Sequence, residues 1–576
     1  MLGLSNYPEH TLAHVLEEYD YIILGGGTAG CVIVNRLSEA GFTVLVVERG
    51  AIGDSWISRI PLLSQAHQST DGRVISFKTT PQKHADNRTL DLMAGNSLGG
   101  GSKINAMLYT RGLPAEYDAW AAAGRKGWAY DDLREFFVKS EKDLDQPTGV
   151  TPKDHGVRGI IRKATSQLGL PYIEDLNSPS QPAQGCAKMH FNIDAQGHRS
   201  STYSAFLPRQ LVEKRRDRLH VCSNTTAVKI EVEEEKGTLR ARSVILRSTK
   251  NKSPDRPIRA RHEIVLCSGA FGSPQILMLS GIGPAEHLKE HDIPVVKDLP
   301  AVGSQLQDHT AVPLQYSIPL QDSLVKFRFK PWTIIKEFIL YLLFGTGLLL
   351  GQVLEVSIFA LSRLLDENSE QKATEKDQDA SLPENLPDIE IMPIANGEHT
   401  SLQKSGRGGL SFFVVNLRPS SAGTVRLANK DPLTNPIVDL NVFAAQRDWE
   451  IMRKGMKLGM RIGKEMAASG YDIVGQFLPK SEEDADLDEF IREYCYSTLH
   501  YSSTCRMAPE REDGGEGGVV DDRLRVHGVK GLRVADASVF PTILGTHLAA
   551  PTVVVAEKCA SMIIEDHGAI GREANL

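Results

Sequence analysis

One stretch constrains this chain more than any other: "YDYIILGGGTAGCVIVNRLSEAGFTVLVVERG", residues 19–50. It reads as strand, glycine turn, helix, strand. Tyr21 to Leu24 form a short apolar run of the kind buried on both faces of a parallel sheet. Gly25, Gly27 and Gly30 then give G-x-G-x-x-G. The first glycine permits the tight turn, the second lets backbone approach a pyrophosphate, and the third lets helix pack on strand. Val32, Ile33, Arg36 and Leu37 continue a helix whose first N–H groups face the phosphates. A second strand, 43–47, ends at Glu48, whose carboxylate can accept both ribose hydroxyls and would repel a 2′-phosphate. The unit specifies an adenine dinucleotide on an α/β fold and does not separate FAD from NAD.

With 576 residues the chain is long enough for more than one domain. A net charge of −7 with dispersed acids leaves no basic face for nucleic acid. The seven cysteines form no C-x-x-C pair and their number is odd, which suits a reducing compartment. The first residues lack a basic start and an apolar run, so no signal peptide is expected and the sequons at Asn87, Asn224 and Asn251 should be idle. The expected location is intracellular, in the cytoplasm. The terminal "ANL" faintly echoes a peroxisomal address.

The apolar run "FILYLLFGTGLLLG" (338–351) is shorter than the roughly 20 residues a spanning helix needs, and two glycines interrupt it. It is expected as a buried helix or as the wall of an apolar substrate cavity, with shallow membrane contact as the alternative. The charge-dense segment that follows, 364–387, is expected as a mobile surface loop.

Three further stretches carry glycine turns: "GNSLGGGSKINAMLYTRGLPAEYDAW" (95–120), "EIVLCSGAFGSPQILMLSGIGP" (263–284) and "AVGSQLQDH" (301–309). With "GWAYDDLREFFVKSE" (127–141), "LRPSSAGTVRLANKDP" (417–432) and "GVVDDRLRVHGVKGLRVADASVFP" (518–541), they resemble the glucose–methanol–choline (GMC) family of FAD oxidoreductases from about residue 19 to 565. Leu98 to Gly112 matches the first family signature with Gly101 and Lys103 as substitutions, and Gly269 to Pro284 matches the second.

The resemblance implies a Rossmann-like FAD-binding domain interleaved with an α+β substrate domain carrying a mixed, largely antiparallel sheet. Residues 17–315 would hold mainly the FAD domain, with substrate-domain segments at about 140–205. Residues 316–515 would be mainly substrate domain, and 516–568 would return to the FAD domain. It also implies that Gly25, Gly27, Thr28, Ala29, Gly30, Glu48 and Arg49 hold the ADP half. Gly99, Gly100, Ser102, Asn105, Ala106, Met107 and Leu108 would lie along the pyrophosphate and flavin, and Val228 would meet the adenine through its backbone. Asp536, Ala537, His547 and Leu548 complete the cofactor set. Some relatives attach the flavin through a histidine just before the asparagine; Ile104 stands there, so the FAD should be non-covalent.

In "TLHYSSTCRM" (498–507) the residues alone leave His500 as a structural histidine, a metal ligand with Cys505, or a proton acceptor. A metal site lacks further ligands at sensible spacing. Leu487, Phe490, Ile491 and Tyr494 predict an amphipathic helix over 486–497 with Asp486 as N-cap. His500 then falls just past its C-terminus, where the dipole would favour an imidazolium. By the resemblance His500 is the base over the flavin and His547 its hydrogen-bonding partner, while His309 reads as structural. Tyr501 and Ser503 replace a usual proline and glycine, so the loop is expected to follow a different path.

The implied reaction is oxidation of a small to medium, apolar or aromatic alcohol to aldehyde or ketone. His500 takes the hydroxyl proton while hydride passes to flavin N5, and oxygen or another acceptor reoxidises the cofactor. The alternatives are a non-redox flavoprotein performing cyclisation or dehydration, a light-driven fatty-acid decarboxylase, and a binding protein on the same scaffold.

Overall fold

A computed structural model describes residues 7–65, 72–142, 144, 157–251, 253–329, 331–351, 354–367, 369–397, 406–511 and 517–568. The terminal "ANL" lies outside the described residues.

Two eight-stranded sheets organise the chain. In the first, β1 (Glu18–Leu24) pairs in parallel with β2 (Val44–Val47) on one side and with the strand Arg256–Leu266 on the other. Leu219–Cys222 extends the parallel array beyond β2, and Leu532–Val534 extends it beyond Arg256–Leu266. The C-terminal halves of the central strands, Tyr21–Leu24 and Ile264–Leu266, and the whole of β2 are buried and apolar because both faces are covered, one of them by α1 (Thr28–Glu39). Strands from four distant parts of the sequence thus meet in one doubly wound sheet, as the interleaved reading expected.

The second sheet is mixed and mostly antiparallel, running from Val474–Phe477 through Thr310–Ile318, Gly408–Asn416, Ile389–Ile394 and Val356–Ala360 to Gly185–Lys188 and Tyr172–Ile173. Its back packs on the 23-residue helix Gln446–Ala468. Strand alternation sends Ile389 and Ile391 into that core, and leaves Glu390, Met392 and Ile394 on the opposite face, toward the first sheet.

Two buried ion pairs fix the helices that end at the site. Glu557, in the middle of the terminal helix Ala549–His567, is fully buried and takes two bonds of 2.6 and 2.8 Å from Arg36 of α1. At the far end Arg533, also fully buried, bonds Glu263 at 2.5 Å and Asp566 at 2.6 Å. Burial alone would raise Asp566, but the Arg533 and Arg525 guanidiniums hold it at about 2.

Two local expectations are corrected. The helix read as 486–497 runs from Asp484 to Tyr494 with Glu483 at the N-cap position; Asp486 lies in its first turn and accepts from Ser481. The segment 364–387, expected as a mobile surface loop, carries short 3-10 turns at Glu375–Gln378 and Pro383–Asn385, with Asn385 donating to the Lys376 and Asp379 carbonyls. The apolar run 338–351 is neither a buried helix nor a cavity wall: its first half belongs to the helix Pro331–Phe344, whose apolar face is largely exposed, and its second half forms the short turn Leu348–Leu350, which buries Leu349 and Leu350.

Removing a buried cation strands the carboxylate it neutralised, so Arg533→Met should lower unfolding stability by about 3–5 kcal/mol. The shift of the urea midpoint, followed by intrinsic fluorescence, measures it.

Candidate active site

A cavity of about 780 Å³ opens between the two sheets. At one end it is framed by the C-terminal turn of β1 and the first turn of α1: Gly25, Gly27, Thr28 and Ala29 line it, followed by Glu48 and Arg49 at the end of β2. Here glycine is a packing requirement. A Cβ at Gly30 would overlap the Gly25 carbonyl, and one at Gly25 would overlap that of Cys267, where φ is also +106°. Gly30 therefore does not line the cavity; it lets α1 sit low enough for its N-terminus to reach the lining. Gly100 faces Gly27 across 2.8 Å of Cβ space, so two bare backbones form the cradle.

Glu48 is buried, which raises its carboxyl above the usual range, while the Gly26 and Gly50 amides, at 3.0 and 2.8 Å, oppose that shift. Each oxygen keeps a lone pair for a ribose hydroxyl. A glycine cradle, an exposed helix N-terminus and a terminal carboxylate fit an adenine dinucleotide.

Ser102, Ile104, Asn105, Ala106 and Leu108 line the middle of the cavity. Gly99 and Met107 stand behind the surface: Gly99 donates to the Gly26 carbonyl at 2.7 Å, and Met107 is fully buried with φ +63°. Thr225, Thr226 and Ala227 line the dinucleotide end, and Val228, expected at the adenine, is the first residue beyond them and does not line it. Asp536, Ala537, His547, Leu548 and Ala549 close the cavity, the last at the start of the terminal helix.

His500 and His547 come together at the opposite end, their rings 5.1 Å apart and nearly perpendicular. His500 sits on a loop that follows the short strand Tyr496–Ser497, which pairs with Thr310–Ala311. Its backbone amide donates to Asp308 at 2.7 Å, and Thr498 donates twice to the His309 carbonyl, at 2.9 and 3.0 Å. Burial lifts the Asp308 carboxyl to about 7.

Sequence reasoning missed two residues here. His309, taken as structural, places its Nδ1 2.9 Å from His500 Nδ1. Glu390, fully buried, lies 3.2 Å from His547 Nε2 and accepts from Ser357 at 2.6 Å. Burial would raise Glu390, yet His547 beside it draws the net shift below the usual value, so it is ionised. The signal for His309 was its place in "QDH", directly before a strand that pairs with the His500 segment; Glu390 carried none, because one acid inside "DIEIMPI" reads as an ordinary strand residue.

The dipole effect expected at His500 does not operate. Five residues, two of them in a short strand, separate it from the preceding helix, so the helix dipole does not act on it. Burial, and then the neighbouring His547 and His309, push its pKa well below 6.5. His500 is a neutral imidazole at physiological pH.

The substitutions flanking His500 have separate consequences. Ser503 occupies φ +72°, the left-handed conformation that glycine supplies without strain, so the loop takes a glycine-type path with a side chain on it. Tyr501 fills the proline position and packs its ring 4.3 Å from Phe271, which with Phe77 and Ile75 gives the cavity an apolar wall on that side. Ser503→Gly should stabilise the protein by about 0.5–1 kcal/mol, read as a higher urea midpoint with unchanged flavin binding.

Comparison with known proteins agrees with this geometry. The N-terminal GMC oxidoreductase family model matches residues 19–311 and the C-terminal one residues 419–556. The chain is 33% identical over 567 residues to an oxygen-dependent choline dehydrogenase from Pseudomonas syringae pv. tomato, covering 95% of this chain and 93% of that protein. It is 34% identical over 571 residues to one from Chromohalobacter salexigens, covering 95% of each. Among solved structures, a formate oxidase from Aspergillus oryzae RIB40 superposes with a TM-score of 0.82 at 25% identity, covering 96% of this chain and 99% of that one. The chain belongs to the GMC oxidoreductase family.

Proposed function

We propose that this protein is an FAD-dependent oxidoreductase that oxidises an apolar alcohol to its aldehyde or ketone, with His500 as the proton acceptor. The observation that carries the reading is a buried, neutral His500 facing a cavity whose other end fits a dinucleotide. Bound FAD supplies the hydride acceptor.

The tautomer of His500 suits a base. Its Nδ1 lies 3.2 Å from Thr498 Oγ1, and that hydroxyl already donates to the His309 carbonyl, so Oγ1 is left as an acceptor. With His309 Nδ1 also within 2.9 Å, the favoured hydrogen sits on His500 Nδ1 and leaves a lone pair on Nε2. Glu390 plays a comparable part for His547: an ionised carboxylate 3.2 Å from Nε2 favours the Nε2–H tautomer and fixes the ring's orientation. The terminal helix directs its N-terminal turn at the cavity through Leu548, Ala549 and Thr552, which favours negative charge there.

Substrate class follows from the lining. Leu354, Met392, Ile394 and Phe413 supply an apolar wall near the histidines, in place of the 338–351 run. The carboxylates among the lining residues are Glu48 and Asp536, and both are committed to backbone amides at the dinucleotide side. A quaternary ammonium such as choline would find no lining carboxylate beside His500, whereas an alkyl or aromatic alcohol matches the wall. No donor for a covalent flavin bond stands at Ile104, so FAD is held non-covalently, and oxygen or another acceptor reoxidises it.

Anaerobic stopped-flow mixing tests the reading. Apolar primary or aromatic alcohols should bleach the flavin faster than choline, and a panel that never bleaches it would overturn the proposal. His500→Ala should slow reduction about 10²–10⁴-fold. A His whose folded pKa is depressed is neutral above that value, so the wild-type acid limb should lie below pH 6.5 and vanish in His500→Ala. Precipitation with trichloroacetic acid should leave colourless protein and a yellow supernatant.

A further inference from the structure

The helix Pro331–Phe344 is amphipathic the wrong way round for a protein surface. Its acid, Glu337, is turned inward, 6% exposed, and accepts from the Leu348 amide at 2.6 Å. Its outward stripe is apolar: Trp332, Ile335, Ile339 and Leu342 recur at i, i+3, i+7 and i+10, at 80%, 50%, 48% and 68% exposure. Leu343 and Phe344 are exposed beside them. A surface helix normally shows the opposite arrangement, and a contiguous apolar patch of this kind marks an interaction surface. Trp56 continues the patch from the adjoining 3-10 turn, its ring 6.0 Å from Phe338.

We propose that this helix and Trp56 dock the protein on the surface of a lipid bilayer, from which it takes an apolar alcohol dissolved in the membrane. This rests on the alcohol-oxidation reading above.

Charge and length select that occupant. Lys336 stands exposed within the apolar stripe, and the preceding short helix Lys326–Phe329 adds Lys326. Cations set among aromatic and aliphatic side chains suit the headgroup region of an anionic leaflet. A two-fold contact with a second copy would bring Lys336, near the middle of the helix, against its own image. At 14 residues the helix is about 21 Å long, and no helix among the described residues is long and apolar enough to cross a membrane, so it would lie flat.

The patch is continuous with the cavity. Trp56 begins the segment that reaches Gln65, which lines the cavity, and Leu62 of that segment donates to the Leu349 carbonyl just after the docking helix. Leu354, four residues beyond Leu350, lines the cavity wall. The surface that would meet lipid and the wall that would meet substrate are therefore built from the same two chain segments.

The experiment is flotation of the FAD-loaded protein with vesicles of phosphatidylcholine alone and of phosphatidylcholine with phosphatidylglycerol. Wild type should float with both, more strongly with the anionic vesicles at low salt. A variant carrying Ile339→Glu and Leu343→Glu should lose about tenfold or more in bound fraction, and flavin reduction by a water-soluble alcohol should be unchanged. Lys336→Glu, as a second and milder variant, should lose only the anionic preference. A long-chain alcohol loaded into the vesicles should reduce wild type at least about tenfold faster than the double variant.

Wild type remaining unbound, or the double variant floating equally well, would overturn the docking proposal. So would a wild-type dimer that the variant splits in light scattering. Equal reduction of both proteins by vesicle-borne alcohol would overturn the delivery step. If no alcohol of any kind reduces the flavin while flotation and its loss persist, the alcohol reading fails and the membrane contact stands.

Discussion

The dinucleotide half of the cavity depends on an approach of backbones that no Cβ would allow. β1, α1 and the strand Arg256–Leu266 converge at Gly25, Gly30 and Cys267, and a methyl group at either glycine would overlap a carbonyl oxygen. That approach brings the first turn of α1 to the lining, and the Arg36–Glu557 pair then ties α1 to the terminal helix, whose own first turn lines the same cavity. Two helix N-termini are thus held in fixed relation by one buried, bidentate ion pair. Pairs of this kind contribute little net stability against an apolar replacement, but leaving either partner alone is costly, so the geometry is hard to relax.

The histidine end follows a different rule. Burial makes charge expensive, and the three imidazoles respond according to their neighbours. His500 faces other imidazoles and is driven neutral; His309, fully buried, is pushed down to about 3. His547 instead has an ionised Glu390 at its back. Two rings of identical chemistry, 5.1 Å apart, therefore have opposite surroundings: one faces other imidazoles and the other an ionised carboxylate.

Much of the dinucleotide site was legible because its determinants are local. Gly25, Gly27, Gly30 and Glu48 lie within one βαβ unit, so spacing along the chain specifies positions in space. The histidine pair was legible only through the resemblance. His309 was misread because its contact with His500 spans 191 residues of sequence. Glu390 was missed because a strand's alternation shows which residues share a face but not what that face meets. The 338–351 run was misjudged for a related reason: composition records that a segment is apolar, and the packing of Glu337 inward decided that the apolar side faces out.

By itself the sequence determined the cofactor-binding unit, since short-range periodicity and glycine spacing are sufficient for it; the interleaved α/β plan and the two candidate histidines came through its resemblance to the GMC family. Only the tertiary structure decided the protonation of His500, the partnership of His547 with Glu390 and the outward face of the helix Pro331–Phe344. Each of these depends on which distant side chains share a desolvated space, and desolvation is a property of packing that no local pattern encodes.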